Sequence, residues 1–158
     1  MMKKILVAVD PSPHSEQVFG YALSLAKATD ASLMLIHVLT PQAEGAPLIP
    51  TLAGIDYGAA ITQELWDAYR QQREAFEKNR FDYLCGLANT ASQAGIKAEF
   101  SLSLGDPGHS ICELAKSWDA DLIVVGRRGL TGLNEWVQGS VSNYVLHHAP
   151  CSVLTVQG

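Results

Sequence analysis

Four short, nearly uninterrupted apolar runs constrain this chain more than any other feature: residues 5–9, 33–39, 122–125 and 152–156. A strand with one wet face alternates apolar and polar residues, so runs of this kind read as strands covered on both faces. Between them the period changes. Val18, Ala22, Leu25 and Ala26 recur at helical spacing to about Ala28, after Ser12 as N-cap, Pro13 at the first helical position and Glu16 in the first turn. A long helical pattern then runs from about Ile61 to Ala94 and stops at Gly95. Its inner stripe is Leu65, Tyr69, Phe76, Tyr83, Leu84, Leu87 and Ala91, and its wet side Gln71, Arg73, Glu77, Lys78 and Arg80.

Residues 97–104 alternate, which predicts a half-exposed strand near a sheet edge. Gly105-Asp106-Pro107 opens a third helix carrying Ile111, Leu114 and Ala115 to about Trp118, and a fourth spans 140–147. Strands alternating with helices imply right-handed crossovers and a parallel sheet with helices on both faces. In such a sheet a ligand sits beyond the carboxyl ends of the strands, where strand order reverses. Strands one and four are the natural neighbours there. Asp10, the end of strand two and the segment after strand four are therefore expected around one crevice.

That last segment is rich in glycine: Gly126, Gly129, Gly132 and Gly139 lie between a short strand and the helix that starts at Ser140. Glycine lets a charged ligand approach bare N–H groups, and a helix N-terminus favours an anion. Arg127 and Arg128 lie within reach of a polyphosphate. Strand, glycine loop, Ser and helix together outline a phosphate cradle.

The spacing Gly126-x-x-Gly129, nine residues, Gly139-Ser140 resembles the ATP-binding signature of the universal stress protein family. Residues 3–10 (Lys3-Lys4-Ile5-Leu6-Val7-Ala8-Val9-Asp10) resemble that family's first strand. Residues 140–146 and 149–156 resemble its last helix and strand, and only 41–60 stands outside the likeness. The fold expected is α/β, an open five-stranded parallel sheet of the Rossmann-like, adenine nucleotide alpha hydrolase-like kind, in the order 3-2-1-4-5. The resemblance implies ATP, with or without Mg²⁺, and a homodimer.

By the same matching, Asp10 is the nucleotide-contacting acid, Ala8 and Val9 touch the base, and the Val38 backbone reads the adenine edge. Val125, Gly126 and Gly129 line the ribose and phosphates, and the backbone of Gly139, Ser140, Val141 and Ser142 holds the phosphates. Arg127 and Arg128 carry over more weakly, one to phosphate and one to solvent. From the residues alone, Asp10 serves equally well as a cap of the following turn. Ser140 reads equally as a helix N-cap.

Other chemistry is excluded by what is missing. There is no GxxxxGK[ST], no GxGxxG after the first strand and no GxSxG. No pair of carboxylates flanks the glycine loop to hold Mg²⁺ for fast phosphoryl transfer; Asp10 and Asp106 are the nearest acids. No residue is assigned a catalytic role. His147 and His148 precede Cys151, but adjacent residues point to different sides of a helix, and both suit a helix C-terminus better than a metal. His14, His37 and His109 are placed near the crevice without a spacing that supports catalysis. The three cysteines, 85, 112 and 151, form no CxxC, and Cys112 and Cys151 fall on apolar patterns as small core residues.

Composition sets the outer bounds. A chain of 158 residues with 47% apolar and 17% charged residues predicts one globular domain over 1–158. A net charge of −5 argues against nucleic acid. The first strand begins without a signal-like apolar stretch, and no run approaches the roughly 20 apolar residues of a membrane span. A cytoplasmic protein is expected. Residues 41–60, with Pro41, Gly45, Pro47, Pro50, Gly54 and Gly58, read as an inserted loop that is functional or mobile. The function expected is a nucleotide-responsive stress-response module, with at most slow ATP hydrolysis or autophosphorylation, paired with its copy through 152–156 and acting on a protein partner. The rivals are a genuine slow ATPase, and a partner-binding dimer that uses AMP or a cyclic adenylate.

Overall fold

The computed structural model describes residues 1–41, 43, 45–50, 62–127 and 139–158. Strands β1 (Lys4–Ala8), β2 (Ser32–Leu39), β3 (Ala98–Leu104), β4 (Leu122–Arg127) and β5 (Ser152–Gln157) form one parallel sheet in the order β3-β2-β1-β4-β5. The connecting helices are α1 (Pro13–Thr29), α2 (Gln63–Gln93), α3 (Pro107–Trp118) and α4 (Ser140–His148).

Side chains alternate across the sheet as the strand period of two requires. Ile5, Val7, Leu33, Leu35 and Val124 face α1 and α2. Leu6, Met34, Ile36, Ile123 and Val125 face α3 and α4. Ile5, Leu6 and Val7 of the central strand have 0% exposure. Burying each contributes about 1.5–3 kcal/mol. A slip of one residue would carry Lys4 or the Asp10 end into this interior, so the charges bracketing the run hold its register. The strand start is also tied down: the Lys3 and Lys4 N–H groups donate to Asp121 Oδ2 at 2.7 and 2.9 Å. Those two bonds hold the Asp121 carboxyl below its ordinary range.

The N-caps follow the sequence signals at α1 and α3, and Thr62 caps α2 where no signal was read. Ser12 accepts from the Ser15 N–H, Thr62 from Leu65 and Asp106 from His109, with proline at the first position of α1 and α3. Gly95 takes the positive φ, +80°, that stops α2. At α4 the expectation is corrected. Gly139 occupies the cap position without a side-chain hydrogen bond, and Ser140 is the first helical residue. The turn is tightened instead by Ser142, whose Oγ donates to the Gly139 carbonyl at 3.2 Å.

The inner stripe of α2 also needs correction. Leu84 and Ala91 are fully buried, whereas Leu65 is 50% exposed. The reason is length: a helix of 31 residues rises about 46 Å, and the seven residues of β3 span about 23 Å. The first turns of α2 have no strand beneath them. Arg80, assigned to the wet side, is instead half-buried, with its guanidinium 4.6 Å from the centre of the Phe76 ring.

Helices α3 and α4 pack closely because α3 carries Gly108. A Cβ there would lie 2.7 Å from the Tyr144 ring. Alanine in a helix interior gains about 0.5–1 kcal/mol over glycine, whereas overpacking costs about 1–3 kcal/mol; the clash prevails because it is with a ring. Gly108→Ala is expected to lower the thermal midpoint, and Gly86→Ala, whose Cβ meets nothing within 4 Å, to raise it. Calorimetry on the two variants checks both signs.

Candidate functional site

The central strand is shorter than its neighbours. β1 pairs with β2 only as far as Ala8↔Ile36 and with β4 as far as Val7↔Val124, while β2 runs on to Leu39 and β4 to Arg127. A notch is left over the end of β1, and a crevice of about 430 Å³ fills it. Ala8, Val9 and Asp10 form its floor, His37 and Val38 one wall, Val125 and Gly126 the other. Pro107, Ile111 and Val141 reach it from the α3–α4 side, His14, Val18 and Arg80 from the α1–α2 side. The volume is that of a small-molecule site.

The wall at β2 offers backbone groups. The Ile36 carbonyl accepts from the Val9 N–H at 2.9 Å, so residue 36 directs its polar groups toward β1. Strand geometry turns residue 38 the same way. No β1 partner extends that far, so the Val38 N–H and C=O face the notch.

The floor is held by side chains from three elements. Ser15 Oγ of α1 accepts from the Asp10 N–H at 2.8 Å. The Tyr83 hydroxyl of α2 donates to the Asp10 carbonyl at 2.7 Å. His37 of β2 places Nδ1 2.8 Å from the Val9 carbonyl. A carbonyl only accepts, so Nδ1 carries the proton and a neutral His37 presents Nε2 as an acceptor. That Nε2 is buried without a hydrogen-bond partner among the described residues. Burial lowers the His37 pKa; the Val9 bond opposes this, Arg80 adds to the lowering and Asp10 opposes it. Burial pushes the Tyr83 phenol up, so it remains a donor at neutral pH.

The sequence-predicted residues divide. Ala8, Val9, Asp10, Val38, Val125, Gly126 and Val141 all line the crevice. Gly139, Ser140 and Ser142 sit beside it in the first turn of α4, where Ser142 is buried and Ser140 exposed. Arg127 ends β4 as an exposed residue outside the crevice lining. Arg128 and Gly129 lie outside the described residues. Gly126 has a packing role as well: a Cβ there would meet His14 Nε2 at 2.7 Å and Val18 Cγ2 at 2.9 Å. His148 accounts for itself locally, stacked 4.0 Å from Tyr144 with Nδ1 2.8 Å from the Tyr144 carbonyl. Among the described residues no three His, Cys, Asp or Glu side chains gather as a metal site.

Sequence reasoning missed Ser15, Tyr83 and Arg80. One signal was available for Tyr83: a phenol on a buried stripe needs a hydrogen-bond partner. Nothing local in the sequence marks that partner as Asp10, because the two are 73 residues apart.

A doubly wound parallel sheet with a crevice at its switch point is the framework of nucleotide-binding α/β proteins. The model of the universal stress protein family matches residues 1–157, and the chain belongs to that family. The chain is 38% identical over 157 residues to the universal stress protein Sll1388 of Synechocystis, covering 98% of this chain and 97% of that one. It is 34% identical to the universal stress protein YxiE of Bacillus subtilis, covering 99% and 100%. Among solved structures, a universal stress protein in complex with cAMP superposes with a TM-score of 0.68 at 22% identity over 99% of this chain and 97% of that one. The Arabidopsis thaliana family protein At3g01520 with AMP bound gives 0.61 at 22% identity over 98% and 91%. At these identities the structural likeness establishes the fold. Among the described residues no helix is long and apolar enough to cross a membrane.

His37 makes stability depend on pH. Its folded pKa lies below the ordinary 6.5, so the unfolded chain takes up a proton where the folded chain does not. This contribution is complete above 6.5 and is lost as pH falls toward the folded value. Thermal unfolding from pH 7.5 to 5 is expected to show a steeper loss for the native chain than for His37→Asn. Parallel curves would count against it.

Proposed function

We propose that the crevice over β1 binds an adenine nucleotide, ATP with or without Mg²⁺, and that occupancy makes the chain a nucleotide-responsive regulatory module. One observation carries this reading: Asp10, Val38 and, from the first turn of α4, Val141 line a single notch of small-molecule size. In this reading Ala8, Val9 and Val125 pack against the base, Val38 meets its polar edge, and Asp10 accepts from the ribose hydroxyls. Gly126 and Gly129 admit the sugar and phosphates, which rest on the N–H groups of Gly139, Ser140, Val141 and Ser142 with help from Arg127 or Arg128. Hydrolysis or autophosphorylation is at most slow. The single domain spans 1–158, and the protein is cytoplasmic.

AMP or a cyclic adenylate is the second reading, favoured by relatives of the same fold solved with cAMP, AMP and dAMP. Mass spectrometry of small molecules released from the purified, denatured protein separates the two. Recovered or added ATP supports the first, and a mononucleotide the second. An empty protein that also binds no added ATP, AMP or cAMP defeats both.

Gly139 gives the sharper test. Its φ of −96° suits any residue, and among the described residues a Cβ there meets only Asn143 Nδ2, at 3.4 Å. Gly139→Ala is therefore expected to keep its thermal midpoint yet bind ATP about 10-fold more weakly, as a methyl group intrudes on the phosphates. Unchanged affinity by titration calorimetry would remove α4 from the site.

The reading includes a homodimer through β5. That strand is a sheet edge, and Val153, Leu154 and Thr155 are half-exposed along it. An apolar edge invites pairing with its own copy. Light scattering is expected to give twice the chain mass, and Leu154→Lys to shift it toward the monomer. A native monomer at high concentration excludes the dimer.

A further inference from the structure

We propose that Tyr83 is a positioning residue for nucleotide binding: by holding the Asp10 carbonyl from α2, its phenol sets where the Asp10 carboxylate meets the ribose hydroxyls. The inference rests on the adenine-nucleotide reading above and names the device that orients its acid.

Asp10 lies beyond the last ladder pair of β1, so its backbone has no strand partner to hold it. Both of its backbone polar groups are nevertheless engaged. The N–H donates to Ser15 Oγ at 2.8 Å. The carbonyl accepts from the Ser12 N–H at 2.8 Å, which closes the turn, and from the Tyr83 hydroxyl at 2.7 Å, which ties that turn to another helix. The preceding carbonyl, Val9, is held by His37. With the peptide pinned on both sides of its Cα, the Asp10 side chain keeps only its own two torsions, and its carboxylate is confined to a short arc on the crevice floor.

The Tyr83 hydroxyl is not what docks α2. Leu84 and Ala91 are buried to 0% exposure on the same helix and secure it against the sheet. Removing the hydroxyl leaves that packing and the Tyr83 ring in place. What is lost is the Tyr83 bond from α2 to the turn carrying the acid, together with the contact of that hydroxyl with Ser15. Ser15 acts on the same residue from α1, so the two helices grip Asp10 from opposite ends of its backbone.

The test is a cycle in protein and ligand. The affinities of ATP and 2′,3′-dideoxy-ATP are measured for the native chain, Tyr83→Phe, Asp10→Ala and the double variant. Tyr83→Phe is expected to weaken ATP by about 3- to 10-fold. It should change dideoxy-ATP by less than about 2-fold and add nothing in the Asp10→Ala background, which has no acceptor left to position. A merely structural hydroxyl would weaken both ligands equally and additively, and that result, or unchanged ATP affinity, overturns the proposal. So does a native chain that binds the two ligands alike, since Asp10 would then not read the ribose. A native chain that binds no ATP removes the nucleotide reading itself and this inference with it. Ser15→Ala is carried through the same cycle with the same expectation, and it decides the matter if Tyr83→Phe does not fold.

Discussion

The structure depends on a central strand that is buried on both faces and ends early. β1 has the fully covered Ile5, Leu6 and Val7 at its middle, and charge at either end: Lys3 before it and Lys4 at its first position, Asp10 after it. Charges do not follow apolar residues into a close-packed interior. The strand must therefore stop where it does, while β2 and β4, which each have an outer partner, continue. The crevice is the geometric remainder of that difference in length.

Stopping a strand between two longer ones leaves backbone groups without a ladder, and these must find partners. At the end of β1 they do so through side chains: Ser15, His37 and Tyr83, from three separate elements. The same polar contacts that satisfy the floor also fix its shape. Folding and recognition thus share residues here, and His37 illustrates the tension. Its Nδ1 completes the backbone of Val9, and burial keeps it neutral, yet its Nε2 is left as a buried acceptor without a hydrogen-bond partner among the described residues. A site assembled in this way is rigid at its base, which lowers the entropy lost when a ligand is ordered there.

The two glycines of the signature that the structure describes play different parts. Gly126 is required by the fold, because His14 and Val18 occupy the space a side chain would need. Gly139 has an ordinary backbone conformation, and among the described residues a methyl group there meets only Asn143, at 3.4 Å. A motif read from spacing treats both as open approaches to a ligand. Packing separates them, and among the described residues it gives Gly139 no contact that would require the absence of a side chain.

Much of this was legible in the sequence. The apolar runs, their change of period and the caps at Ser12, Asp106 and Gly95 determine a five-stranded parallel sheet, since each signal is local and each element answers to it. Sheet topology set Asp10, the end of strand two and the glycine loop around one crevice, and Asp10, Val38 and Gly126 line it. The tertiary structure alone decided the rest. Leu65 fits a helical stripe but lies beyond the sheet's edge, because periodicity reports a face and not what covers it. Ser140 has the residue type of a cap, yet the chain direction at α4 gives that position to Gly139. Arg80 and Tyr83 look like an exposed cation and a core aromatic until α2 brings them over the end of β1. Local periodicity and capping are written in neighbouring residues, so sequence conveys them; contacts across 73 residues depend on how whole elements pack, and only the folded chain contains that information.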